Sequence, residues 1–221
     1  MKERFALTAS LKMRIDKLQN QSYLLSTAYL APIEYYFLVN NASEIVLEQH
    51  ELYEKQSFRN RCKILTANGV MDLSIPIDKT EKKLIRDILI AEHNKWQTNH
   101  WRAITSAYNS SAFFEYYIDD MYPFYEKKWK YLWDFNLAFQ LKLMELFEID
   151  TAISFTQNYQ KQYDNNFDFR NLIHPKKASI HTSKPYYQVF DQKFGFNAHL
   201  SCIDLLFNMG PESIIILTSH E

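Results

Sequence analysis

Only three glycines and two cysteines occur in this chain of 221 residues, and each shortage excludes a class of chemistry. A phosphate cradle built from glycine backbone is not available. There is no P-loop, no dinucleotide-binding glycine motif and no nucleophile-elbow sequence. Cys62 and Cys202 are too few for a disulfide framework and lack metal-ligand spacing, so both read as reduced thiols of a cytoplasmic protein. No metal site and no cofactor is expected. No apolar run reaches the roughly 20 residues that a membrane-spanning helix needs. Charge of one sign is also missing, since 25 Lys and Arg oppose 26 Asp and Glu. That argues against a nucleic-acid-binding protein, and any anion site must be local. Residues 1–21 are basic but lack a secretory hydrophobic core and a cleavage site. They read as a poorly anchored leader, with Met1 or Met13 as the natural start and a single domain from 22 to 221.

What the chain does have is a large apolar stock, 47% of its residues, with aromatics at 16%. The apolar segment Tyr23–Leu30 reads as a strand, Ile33 to Asn41 as a short helix after Pro32, and Glu44–Gln49 as a second strand. This order is the opening of an α/β layer arrangement. Asn68-Gly69 between two alternating runs predicts a hairpin over 59–77, turning on those two residues. That register sets Cys62 against Ile75, Ile64 against Leu73 and Lys63 against Ser74, with Met71 and Ile77 extending the apolar face. Arg59, Arg61 and Lys63 then share the other face. Ile85–Ala91 reads as a further strand, followed by packed helices through the 94–149 region. The longest helix is expected from about Lys127 to Ile149, buried on most of its circumference. Ile153–Thr156 reads as a strand. Ser201-Cys202-Ile203-Asp204 matches a capping box at the start of a last short helix closing at Gly210. The prediction is one α/β domain with a mixed sheet.

Three cations at alternate positions suit phosphate or carboxylate, because guanidinium forks bind both bidentately. A solvated edge strand guarding against aggregation carries the same residue types. Cys62 on the apolar face reads as a small hydrophobe rather than a nucleophile. His100, one turn after Trp96, has the chemistry of a general acid or base, though a histidine hydrogen-bonded within a core wall is the commoner arrangement. Asp164, Asp168 and Arg170 form a weak carboxylate and counter-ion pattern. His174-Pro175-Lys176-Lys177 has loop character.

Several stretches taken together resemble the WbqC-like family. They are F-R-N-R at 58–61, S-I-P-I at 74–77, Trp96 with His100, Tyr108, A-F-F at 112–114 and D-F-N at 134–136. Tyr187-Gln188 and S-x-x-D-L-L-F-N-x-G from Ser201 to Gly210 complete the set. The order and spacing of these pieces carry the resemblance, not any one of them. The chain departs from many relatives in having T-A-Y-L-A-P-I-E-Y-Y-F at 27–37 and Glu48-Gln49-His50 where relatives often place two aspartates.

The resemblance implies a protein of bacterial surface-polysaccharide synthesis, of the O-antigen type, acting on a nucleotide-linked amino sugar. Amino-acyl or acyl transfer is the activity suggested for some relatives. Carried over by position, Arg59, Asn60, Arg61 and Lys63 would hold the diphosphate. Tyr108, Tyr187, Gln188, Ser201 and Asn208 would contact the substrate, and His100 and Asp204 would be the catalytic pair. The other reading is a non-catalytic sugar-nucleotide-binding or scaffold subunit, with a protein partner or a homo-oligomer, motivated by the missing catalytic motifs and the wealth of Tyr and Phe.

Overall fold

The computed structural model describes residues 21–78, 83–163, 167–181 and 183–218. The expected leader, apart from Gln21, and Asp164 lie outside them. Three parallel strands, β1 (Ser22–Ser26), β2 (Glu44–Glu48) and β5 (Ala152–Phe155), form a sheet in the order β1-β2-β5. Ile45 of β2 sits beside Tyr23 on one side and Ile153 on the other. Parallel neighbours need a crossover, and α1 (Ile33–Asn41) supplies it between β1 and β2. Every residue of α1 from Ile33 to Val39 is buried, as its nearly unbroken apolar sequence requires. β1 stops at Ser26, short of the expected Leu30, and Leu30 itself takes a left-handed backbone at φ 41°.

The hairpin, β3 (Arg61–Thr66) with β4 (Gly69–Ser74), is antiparallel and forms its own two-stranded sheet. Parallel and antiparallel pairings thus coexist with helices in an α/β protein. The expected register is corrected by two places: Thr66 faces Gly69, Cys62 faces Leu73 and Lys63 faces Asp72. The turn rests on Ala67 and Asn68, because only Gly69 takes a left-handed backbone, at φ 103°. This is a turn followed by a glycine bulge, and the Thr66 hydroxyl braces it by donating to the Gly69 carbonyl at 2.8 Å. A slip of two keeps the parity, so Cys62 and Ile64 remain in the core. Met71, expected on that face, is 42% exposed.

Four helices follow: α2 (Trp96–Tyr108), α3 (Phe114–Met121), α4 (Pro123–Glu126) and α5 (Leu132–Leu146). α5 is shorter than expected. Trp129 precedes it and Leu141 is 50% exposed, while the buried wall includes Phe135, Phe139 and Leu143 with polar Asn136 and Gln140. Ile85–Ala91 is not a strand. Leu84, Leu89 and Ile90 bridge to Leu52, Tyr131 and Ile77 respectively, three different partners, so no ladder forms around the short 3-10 turn Ile85–Asp87.

The chain closes with α6 (Asp191–Phe194), α7 (Cys202–Met209) and α8 (Ser213–Thr218). α7 is buried from Cys202 to Asn208 and stops at Gly210, φ 53°. The expected capping box is not made. The Ser201 hydroxyl donates instead to the Leu30 carbonyl at 2.7 Å, and Ser201 N–H donates to the Lys63 carbonyl at 2.8 Å. Ser201 therefore ties three separate stretches of chain together and leaves the Asp204 side chain free for other partners.

Candidate functional site

A two-lobed cleft runs between β3 and the loop after Ile173. One lobe is lined by residues including Gln56, Arg61, Lys63, Asp72 and Lys176. The other is lined by Glu34, Lys63, His174, Lys177, Ser179 and His199 among others. Phe58, Lys63 and Pro175 belong to both. Cations outnumber carboxyls on these walls, and neither Arg61 nor Lys63 makes an ion pair among the described residues. The Arg61 Nε is buried without a hydrogen-bond partner there, a condition an arriving acceptor would relieve. Burial holds the His174 pKa below the ordinary histidine value, against the pull of Glu54 3.7 Å away. A bound anion would favour its charged form.

Arg61 and Lys63 thus lie where the alternating pattern put them. Arg59 does not. It precedes β3 and is buried, with Nη2 2.5 Å from Glu51, Nη1 3.0 Å from Glu54 and a hydrogen bond to the Ser26 hydroxyl at 2.9 Å. Burial opposes its charge, but Glu51 and Glu54 more than offset that and raise its pKa. Asn60, also buried, donates to the Ile75 carbonyl at 2.8 Å and so fastens the end of the hairpin. A parallel arrangement surrounds Arg170, which pairs with buried Glu48 at 3.0 Å and with Asp168 at 2.5 Å. Both arginine sets lie near the ends of β1 and β2, where Ser26 and Glu48 are the last strand residues.

A second cluster surrounds Asp204 in the core. Its carboxylate accepts from the Tyr186 hydroxyl at 2.6 Å and from Gln188 Nε2 at 2.7 Å, and Tyr108 faces it too. Burial pushes the Asp204 pKa up to about 6, against the pull of those donors. Tyr108, Gln188 and Asp204 are therefore brought together, joined by Tyr186, which no motif singled out. Tyr187 is 55% exposed. Asn208 donates to the Asp204 backbone carbonyl at 2.7 Å within α7.

His100 is buried, with Nδ1 2.9 Å from the Tyr29 hydroxyl, which in turn lies 3.0 Å from the Tyr125 hydroxyl. Burial lowers its pKa to about 4, although a hydrogen bond to the Ser74 backbone favours the charged form. Assigning the tautomer from these partners, Nε2–H faces Ser74 and the ring is neutral. Ser74 is the residue opposite Arg61, so His100 supports the hairpin that carries the cleft cations. Neither His100 nor Asp204 lines the cleft.

Glu34, His174, Lys176, Lys177, Ser179 and His199 were not picked out as site residues. The one available signal was His174-Pro175-Lys176-Lys177, a cationic run in a loop. Nothing local marks Glu34, which lies in the first turn of an apolar helix. Among the described residues no group of three or more His, Cys, Asp or Glu is arranged to hold a metal ion, and no helix is long and apolar enough to cross a membrane.

An α/β protein with a local cationic cleft and a buried tyrosine–carboxylate cluster is the class that fold and site define. The WbqC-like protein family matches residues 27–177. The chain belongs to that family. It is also similar to the uncharacterized protein Rv1507c of Mycobacterium tuberculosis, with 25% identity over 207 residues, covering 81% of this chain and 89% of the relative. No solved structure matches the chain at a significant level.

Proposed function

We propose that this protein is a cytoplasmic transferase of bacterial surface-polysaccharide synthesis, acting on a nucleotide-linked sugar bound in the two-lobed cleft. The observation that carries the reading is the convergence of Arg61, Lys63, Lys176, Lys177 and His174 on one cleft in a chain whose net charge is only −1. Charge-assisted hydrogen bonds from such a set suit a diphosphate. The biosynthetic setting is part of the proposal and follows the resemblance of the motifs, not the geometry of the cleft. In this reading acyl or amino-acyl transfer takes place on the sugar, and His100 and Asp204 act by holding the cleft walls.

A second reading keeps the ligand and drops the turnover. It is favoured by one observation: His100 and Asp204, the proton-transfer candidates, are buried away from the cleft. A thermal-shift screen against nucleotide sugars, nucleoside diphosphates and activated acyl donors tests both. Ligand that binds the native state raises the melting temperature by mass action. A shift with a nucleotide sugar, lost in Arg61→Ala, supports the cleft. Turnover of that ligand by the purified chain selects the transferase, and binding without turnover selects the non-catalytic subunit. No shift with any of these compounds overturns both.

A further inference from the structure

The two lobes differ in chemistry. The lobe with Arg61 and Lys176 has one carboxylate, Asp72, which is exposed and directly opposite Lys63 in the hairpin. The other lobe contains Glu34, which is buried at 9% exposure. Its Oε2 accepts from the Ser179 hydroxyl and, at 2.8 Å, from Ile180 N–H. Those neutral donors fix the carboxyl in place. Glu34 makes no ion pair among the described residues, although Lys63, His174, Lys177 and His199 share its lobe. A buried carboxyl repels phosphate and accepts hydrogen bonds, so the two lobes suit opposite ends of one ligand.

We propose that Glu34 is the orienting residue of the cleft, accepting a hydrogen bond from a hydroxyl or ammonium group of the sugar while the phosphates lie against Arg61, Lys63 and Lys176. This rests on the anion-cleft reading and adds the direction in which the ligand lies. Phe58, common to both lobes, gives the sugar ring an apolar wall between them. Burial raises the Glu34 pKa, and a hydrogen-donating ligand group stabilises its charged form.

The test is calorimetric titration of the full chain, Glu34→Gln and Arg61→Ala with pyrophosphate, glucose 1-phosphate and glucosamine 1-phosphate. Glutamine keeps an oxygen for Ser179 and Ile180, and unchanged melting temperatures establish folding, with Glu34→Asp as the second variant. Pyrophosphate is expected to bind wild type and Glu34→Gln alike and to weaken at least about tenfold in Arg61→Ala, while Glu34→Gln weakens a sugar phosphate about tenfold. Selective loss of the glucosamine compound identifies an ammonium contact, and equal loss of both sugars a hydroxyl contact. Sugar phosphate affinities untouched by Glu34→Gln, with pyrophosphate still bound, overturn the role of Glu34 alone. Absence of pyrophosphate binding to wild type overturns the cleft reading beneath it.

Discussion

The Tyr186 hydroxyl lies 2.6 Å from the Asp204 carboxylate inside the core, on the first turn of α7. It stabilises the charge of Asp204, yet burial prevails and the pKa rises from 3.8 to about 6. An acid whose folded pKa exceeds its unfolded value contributes most stability below the unfolded pKa. That contribution falls as pH rises from about 4 to about 6, by roughly 3 kcal/mol. Asp204→Asn removes it. Urea unfolding of wild type and variant at several pH values is expected to give a difference that changes across this window and is flat above it.

His100 titrates in the opposite sense. Its folded pKa of about 4 is below the ordinary 6.5, so its contribution is complete above pH 6.5 and is lost as pH falls towards 4. The ring is expected to stay neutral from pH 8 to pH 5, read as unchanging His100 proton shifts in NMR spectra. Titration near 6.5 would show a ring open to water.

Arg59→Ala is expected to destabilise the fold by about 3–5 kcal/mol, because it leaves Glu51 buried with an uncompensated charge. Replacing Arg59 by Met and Glu51 by Leu together should recover much of the loss. Chemical denaturation of the single and double variants measures this. Arg61→Ala, at a half-buried position without an ion pair among the described residues, should cost far less. Binding lost in Arg59→Ala would therefore report folding before it reported contact.

Gly210→Ala places a Cβ 2.5 Å from the Phe113 ring on a backbone at φ 53°. The clash and the left-handed conformation act together. A loss of about 1–3 kcal/mol is expected, visible as a lowered urea midpoint.

Local patterns in the sequence were enough for the hairpin faces, because parity depends on alternation alone. They were not enough for the turn, where a glycine bulge and a two-residue glycine turn share the letters Asn-Gly. Arg59 read as a third exposed cation because its partners Glu51 and Ser26 come from a loop and another strand. The Ser201–Asp204 spacing matched a capping box, but the Leu30 carbonyl and the Tyr186 hydroxyl, both distant in sequence, took the two side chains. Arg61 and Lys63 were legible as a pair of cations. The opposite wall of their cleft was not, since it comes from residues 174–199, which alternate between polar and aromatic without a period.

The match to the family ends at residue 177, whereas the tie made by Ser201 holds Lys63 and Leu30 from beyond that point. The aromatic ring of Phe207 also packs on Tyr108 and Phe114. A fragment cut where recognition stops would leave the seat of α7 as an open apolar trough and Glu34 without Ser179 and Ile180. In this molecule the end of the family match is not a place where the chain can be divided. Expression trials that take it as one should yield aggregates, and those that run through Thr218 should not.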